Sequence, residues 1–282
     1  LEKDYGYDSL TLWDQQDVQL KMQSERYLGG LFDANSGHIH PLNYTLGLAQ
    51  AALDAGVTIY TDSAVTKVTR KSQANVCQTA QGQIKAQQVL FCGNAYMGKL
   101  VPEISNKIMP VGTYIGATEP LGEARAKALI NNNMAIADVN FVLDYFRLSA
   151  DYRMLFGGRV SYSTLAPPNL MHSMRQRMLG VFPQLADVKM AYSWGGNVAI
   201  TMNRGPHFGR VGQDLYFAQG FSGHGIAATG LAGKLLAEAV AGQAERFDLF
   251  KEISHLPFPG GTLLKTPALM LAMTWYRLRD ML

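Results

Sequence analysis

The chain has 282 residues and is 48% hydrophobic, enough for a large core and for two domains or one big one. Its 25 basic and 22 acidic residues leave a net charge of +3 with no basic stripe, which argues against nucleic acid as a partner. The two cysteines, Cys77 and Cys92, lack metal-ligand spacing and suggest no disulfide framework, so a reducing, cytoplasmic compartment is expected.

The sequence starts in mid-pattern at Leu1, with Leu10, Leu12, Trp13, Val18, Leu20 and Met22 set in a polar background. No signal-peptide pattern opens it, and the start reads as the inside of a larger protein. Residues 41–55 read as a helix, with Leu42, Leu46, Leu48 and Leu53 on its apolar face and Gly56 as the stop. A strand is expected at residues 57–60, a second from Val65 and Val68, and a third at residues 76–79. A turn at residues 81–83 leads to a short buried strand at residues 89–92. Residues 112–118 alternate like a half-buried strand. Residues 141–148 and 153–158 read as an antiparallel hairpin joined by Ser149, Ala150 and Asp151. A helix is expected at residues 170–181 and extended structure at residues 191–202, with Trp194 on an inner strand. The apolar run at residues 267–276 falls short of the ~20 residues that span a bilayer. It reads as a helix packed on its own protein, with an interfacial helix flanked by Trp275, Arg277 and Arg279 as the alternative.

Between an apolar strand at residues 214–219 and a helix at residues 226–241 stand Gly220, Phe221, Ser222, Gly223, His224 and Gly225. Strand, glycine loop and helix start together offer bare N–H groups to an electron-rich ligand, and the glycines clear side chains from its path. Residues 223–228 also fit the loose dinucleotide pattern G-x-G-x-x-A. That pattern needs a following strand with a ribose-binding acid, and residues 242–259 supply none.

Four stretches then converge: Gly37-His38-Ile39-His40-Pro41, Phe91-Cys92-Gly93-Asn94-Ala95-Tyr96, Trp194-Gly195-Gly196-Asn197 and the glycine loop. In order and spacing they resemble the D-amino-acid-oxidase-like family of FAD-dependent amine and amino-acid oxidoreductases, across nearly the whole chain. The resemblance implies an α/β with α+β fold: a truncated FAD-binding Rossmann-like domain plus an antiparallel-sheet substrate domain. Residues 1–110 would be part of the FAD-binding domain, residues 111–204 the inserted substrate domain, and residues 205–282 the return to the first domain with a C-terminal helix. It further implies that the glycine loop lies against the flavin ring, while the pyrophosphate grip belongs to a segment upstream of Leu1. On that expectation the chain alone binds FAD weakly or not at all. Family members with covalent flavin carry a cysteine in the stretch after the Trp194 motif. Residues 197–201 have none, so the expected FAD is non-covalent.

The resemblance assigns residues to roles. His224, Trp194 and His40 are the expected catalytic residues, with helix capping or core packing as their plainer alternatives. His38 shares the turn with His40. Tyr145, Arg147, Arg159 and Arg204 are candidates for the substrate pocket, where an arginine fork suits a carboxylate. A solvated strand face is the other reading for Arg147 and Arg159, and simple packing for Tyr145. Val65, Cys92, Gly93, Asn94, the six loop residues and Ile226 are the candidate cofactor contacts. The implied reaction is flavin-dependent oxidation of an amine C–N bond to an imine, which hydrolyses to aldehyde and ammonia. The implied substrate is the small molecule gamma-glutamylputrescine, within putrescine breakdown. Another amine or a small or N-methylated amino acid is one alternative. A cofactor-free, non-catalytic fragment is the other.

Overall fold

The computed structural model describes residues 2–71, 74–140, 143–161 and 168–259, without the side chains of residues 159–161. A one-turn helix α1 (Glu2–Tyr5) precedes strand β1 (Leu10–Asp14), helix α2 (Gln15–Lys21) and strand β2 (Gly29–Asp33). β1 and β2 pair antiparallel, and Trp13 stacks on Phe32 at 4.6 Å. A reciprocal pair of backbone-to-carboxylate bonds between Asp14 and Asp17 starts α2. The sequence reading assigned no strand in this hairpin, whose apolar positions do not alternate cleanly.

Helix α3 (Pro41–Asp54) begins with proline at its first position and ends before Gly56, whose φ is +86°. Its expected apolar face exists but stays exposed: Leu42, Leu46, Leu48 and Leu53 are each about half accessible. The expected strand at residues 57–60 is not formed. Val57, Ile59 and Tyr60 are exposed and pair with no strand among the described residues, and an extended segment without a ladder partner is not a strand. The next strand starts at Lys67 rather than Val65. β3 (Lys67–Arg70), β4 (Asn75–Gln78) and β5 (Gln83–Ala86) make an antiparallel meander. Strand β6 (Val89–Phe91) and helix α4 (Pro102–Ser105) follow.

The middle of the chain builds one antiparallel sheet. Its elements are β7 (Met109–Thr118), helix α5 (Glu123–Leu129), β8 (Ile136–Ala137), β9 (Tyr145–Leu148), β10 (Met154–Ser161), helix α6 (Leu170–Val181) and β11 (Met190–Ile200), with strand order β11-β7-β10-β9-β8. The expected hairpin is β9–β10; its first arm is shorter than expected because Leu143 and Asp144 stay outside the strand, while residues 141 and 142 lie outside the description, and its second arm runs on to Ser161. β11 is an edge strand, not an inner one, which corrects the placement of Trp194. Period-two alternation gives this sheet two faces. One buries Phe146, Leu148, Met154 and Phe156 against Met174, Met178 and Phe182. Phe146 stacks on Phe156 at 5.5 Å and meets Phe182 edge-on at 5.2 Å. The other face is left to line a cavity.

The chain closes with β12 (His207–Val211), β13 (Leu215–Gln219), helix α7 (Gly225–Val240) and helix α8 (Glu245–Lys251). β13 lies between antiparallel β12 and parallel β6, and all five of its residues are buried. Leu235, Leu236 and Phe247 pack on Phe208 and Tyr216. The region where no βαβ-completing strand was expected holds α8 instead. The apolar run at residues 267–276 lies outside the described residues. The fold is mixed α/β with antiparallel sheets, and no described helix is long and apolar enough to cross a membrane.

Candidate functional site

The open face of the five-stranded sheet floors a cavity of about 1000 Å³. Ladder register arranges its floor in two rows. Arg147, Leu155, Ala117 and Tyr192 stand opposite one another across four strands; Tyr145, Gly157, Ile115 and Trp194 form the adjacent row. The turn before α3 supplies His38, Ile39 and His40 to the same cavity. Tyr145, Arg147, Trp194, His38 and His40, singled out separately in the sequence, thus line one space.

Each of these side chains is held by something identifiable. Arg147 Nη1 bonds His38 Nδ1, across 109 positions of sequence. His38 Nε2 lies 2.8 Å from the Asn133 carbonyl. A carbonyl only accepts, so Nε2 carries the proton and Nδ1 accepts from the guanidinium. Burial lowers the Arg147 pKa from its ordinary value, and no carboxylate pairs with it among the described residues. His40 Nδ1 accepts from the Asn43 N–H at 3.3 Å and caps α3. Burial raises the Tyr145 pKa, opposed by a hydrogen bond with Thr113. The Tyr145 ring covers Gly157, where an added Cβ would sit 2.1 Å from its Cε2. Trp194 is 46% exposed, so it forms cavity wall rather than core.

The other motifs are tied to each other by hydrogen bonds. Asn94 Oδ1, just past β6, accepts from the Gly220 N–H at 2.9 Å. Tyr96 Oη accepts from the Asn197 N–H at 2.8 Å. The Ser222 N–H donates to the Ala199 carbonyl at 2.9 Å, and Ser222 Oγ accepts from the Thr201 N–H at 3.3 Å. The glycine loop is therefore fastened to the ends of both β6 and β11. Gly220 and Gly223 have φ of +72° and +95°, and a Cβ on Gly223 would meet nothing within 4 Å. His224 occupies the N-cap position of the 16-residue α7, is exposed, and makes no side-chain cap. Among the described residues, no acceptor takes up the Gly225 and Ile226 N–H groups at the start of α7, beside the glycine loop. That donor set fits the electron-rich edge of a flavin ring.

The remaining candidates fall elsewhere. Phe221 is buried in the core against Phe208. Ile226 is 54% exposed, beside the loop on α7. Gly93 packs under Met97, and Cys92 and Val65 are exposed, the Cys92 thiol pKa being raised by partial burial. Arg204 is exposed at φ +60° and lines neither this cavity nor the next. Arg159 stands opposite Tyr114 at a bulge in β10.

Three features carried little or no sequence signal. A second cavity of about 780 Å³ shares His38, Asn133, Ala135 and Ile136 with the first. Asp144 is almost fully buried between Arg26 and Arg177, which lower its pKa against a larger upward push from burial. Behind the glycine loop, His207 and His255 sit with ring centroids 4.4 Å apart. Gln219 lies 3.1 Å from His207 Nδ1. Burial first, then His255 and Lys107, push the His207 pKa down to about 3. Only Gln219, polar at the end of an apolar run, hinted at this cluster. No group of three metal-ligating side chains is found among the described residues.

The family model described as "FAD dependent oxidoreductase" (DAO) matches residues 1–239. The chain is 44% identical to gamma-glutamylputrescine oxidoreductase of Escherichia coli, over 99% of this chain and 65% of that protein. It is 43% identical to the "Probable oxidoreductase OrdL" of Haemophilus influenzae, over 99% of this chain and 64% of that one. It thus spans just under two thirds of the length of these relatives. Glycine oxidase from Bacillus cereus superposes with a TM-score of 0.74 at 18% identity, covering 86% of this chain and 68% of that structure, a likeness of fold alone.

Proposed function

The chain belongs to the DAO family of FAD-dependent oxidoreductases, and from that premise we propose that its protein oxidises the C–N bond of a small amine, gamma-glutamylputrescine first among candidates. The observation that carries this is the fastening of the glycine loop to both β6 and β11 through Asn94 and Ser222, which sets an uncapped helix start near the strand that bears Trp194. The substrate comes from the name of the E. coli relative. Free Cys77 and Cys92 support a cytoplasmic setting. We take residues 111–204 as the substrate domain, set between two parts of the cofactor domain.

Bound FAD supplies the hydride acceptor and leaves the substrate as an imine, which water converts to aldehyde and ammonia. The chain's own residues do the rest. N–H groups at Gly223, Gly225 and Ile226 would meet the edge of a bound ring where negative charge accumulates, and His224 would lie against that edge. Trp194 walls the amine side and keeps bulk water from it, Tyr145 lines the substrate's arm beside Arg147, and Arg147 holds an anionic group of the substrate. His40, fixed by its cap to α3, borders the substrate. Residues 197–201 hold no cysteine, so the flavin is retained by non-covalent contacts.

The test uses the full-length holoenzyme. Gamma-glutamylputrescine, putrescine, sarcosine and glycine are supplied in turn, and peroxide, aldehyde and ammonia are measured. Acid precipitation of the same sample should leave the flavin in the supernatant. Aldehyde and ammonia from gamma-glutamylputrescine are expected; activity with glycine or sarcosine alone would refute the reading.

A further inference from the structure

The geometry points to Arg147 as the anchor for a carboxylate remote from the reacting carbon, so that the site selects long carboxylate-bearing amines over α-amino acids. This rests on the amine-oxidation reading above and adds which end of the substrate is recognised where. Arg147 is a cation that borders the cavity without a carboxylate of its own among the described residues. By contrast, Lys127 and Arg153, which also line it, are paired with Glu123 and Asp151. A guanidinium drawn partly out of water calls for an anion, and its planar fork matches a carboxylate.

His38 sets the direction of that fork. With Nε2–H committed to the Asn133 carbonyl, its Nδ1 accepts one guanidinium N–H and leaves the others for a ligand. His38 is therefore a positioning residue for Arg147.

The separation from the glycine loop follows from register. Arg147 on β9 stands in one row with Leu155, Ala117 and Tyr192, three strand spacings from β11, roughly 14 Å. The glycine loop meets β11 not at Tyr192 but at Ala199, through the Ser222 N–H. Seven residues of strand add roughly 23 Å along β11. Taken at right angles, the two legs put backbone at Arg147 and backbone at the loop roughly 27 Å apart. The arginine side chain and a flavin ring on the loop take part of that span, and several bond lengths remain. An α-amino acid, whose carboxylate is attached to the reacting carbon, does not bridge the remainder. An amine with a butyl arm and a γ-glutamyl head does, with its terminal C–N bond toward the loop and its carboxylate at Arg147.

The experiment compares wild type, Arg147→Met and His38→Asn in the full-length holoenzyme, with flavin content and circular dichroism recorded for each. Gamma-glutamylputrescine and putrescine are the substrates. Gamma-glutamylbutylamine, which keeps the carboxylate and the arm but has no terminal amine to oxidise, is titrated by calorimetry. Arg147→Met should lower the preference for gamma-glutamylputrescine over putrescine by about 10- to 100-fold, mostly through KM, and weaken gamma-glutamylbutylamine binding by a similar factor. His38→Asn should do the same to a lesser degree and add nothing in the Arg147→Met background. An unchanged preference in Arg147→Met, or additive losses in the double variant, overturns the assignment while leaving the reaction intact. If Arg147→Met does not fold, Arg147→Lys keeps the charge without the fork and should show the preference loss in smaller measure; an unchanged preference there is equally fatal. Wild type that oxidises sarcosine but neither diamine overturns the reading of the reaction itself.

Discussion

The buried histidine at position 207 makes the fold acid-labile in a defined window. It is 5% exposed, its ring tilted against His255 and close to Lys107, and its pKa falls from 6.5 to about 3. In the unfolded chain the same imidazole binds a proton near pH 6.5. Between pH 6.5 and about 3 the unfolded state therefore holds one more proton than the folded state. The stability conferred by the neutral imidazole is fully present above pH 6.5 and is lost as pH falls toward 3. Taking the chain from pH 7.5 to pH 5 should cost at most about 2 kcal/mol through this group. Partial access to water reduces that figure. Urea unfolding at the two pH values, in wild type and in His207→Gln, isolates it. The glutamine keeps an acceptor for Gln219 but does not titrate. Wild type should lose about 1–2 kcal/mol more than the variant. Equal losses in the two proteins would refute a buried neutral histidine at this position.

Two further outcomes are expected. Gly157→Ala drives a methyl group to 2.1 Å from the Tyr145 ring. The ring must leave the strand, stability should fall by about 1–3 kcal/mol, and in the holoenzyme KM should rise more than kcat falls; a thermal melt unchanged from wild type would dismiss the contact. Asn94→Ala removes the acceptor for the Gly220 N–H. It should cost about 1–3 kcal/mol and speed flavin loss from the full-length protein on dilution, both read by flavin fluorescence during thermal and dilution assays.

The elements that the sequence determined by itself are those whose stop and start signals are local. Pro41 and Gly56 bracket α3, Met174, Met178 and Val181 place α6 on one side, and the apolar run before Gly220 is β13. The loop from Gly220 to Gly225 is legible for the same reason, since glycine adopts the positive φ found at Gly220 and Gly223 at least cost. What the sequence could not decide is which partner each segment meets. Residues 57–60 have strand composition but no ladder, and Trp194 has core composition but an edge position. The pairing of His38 with Arg147 spans 109 positions, and nothing near either residue announces the other. Only the register of β9, β10, β7 and β11 puts Arg147 in line with Tyr192 and away from the glycine loop. The same holds for His207, whose titration is set first by burial and then by His255 and Lys107 arriving from distant segments. Periodicity and turn chemistry act over a few residues, whereas the face a sheet leaves open and the charge a side chain keeps depend on chains folded against it from elsewhere.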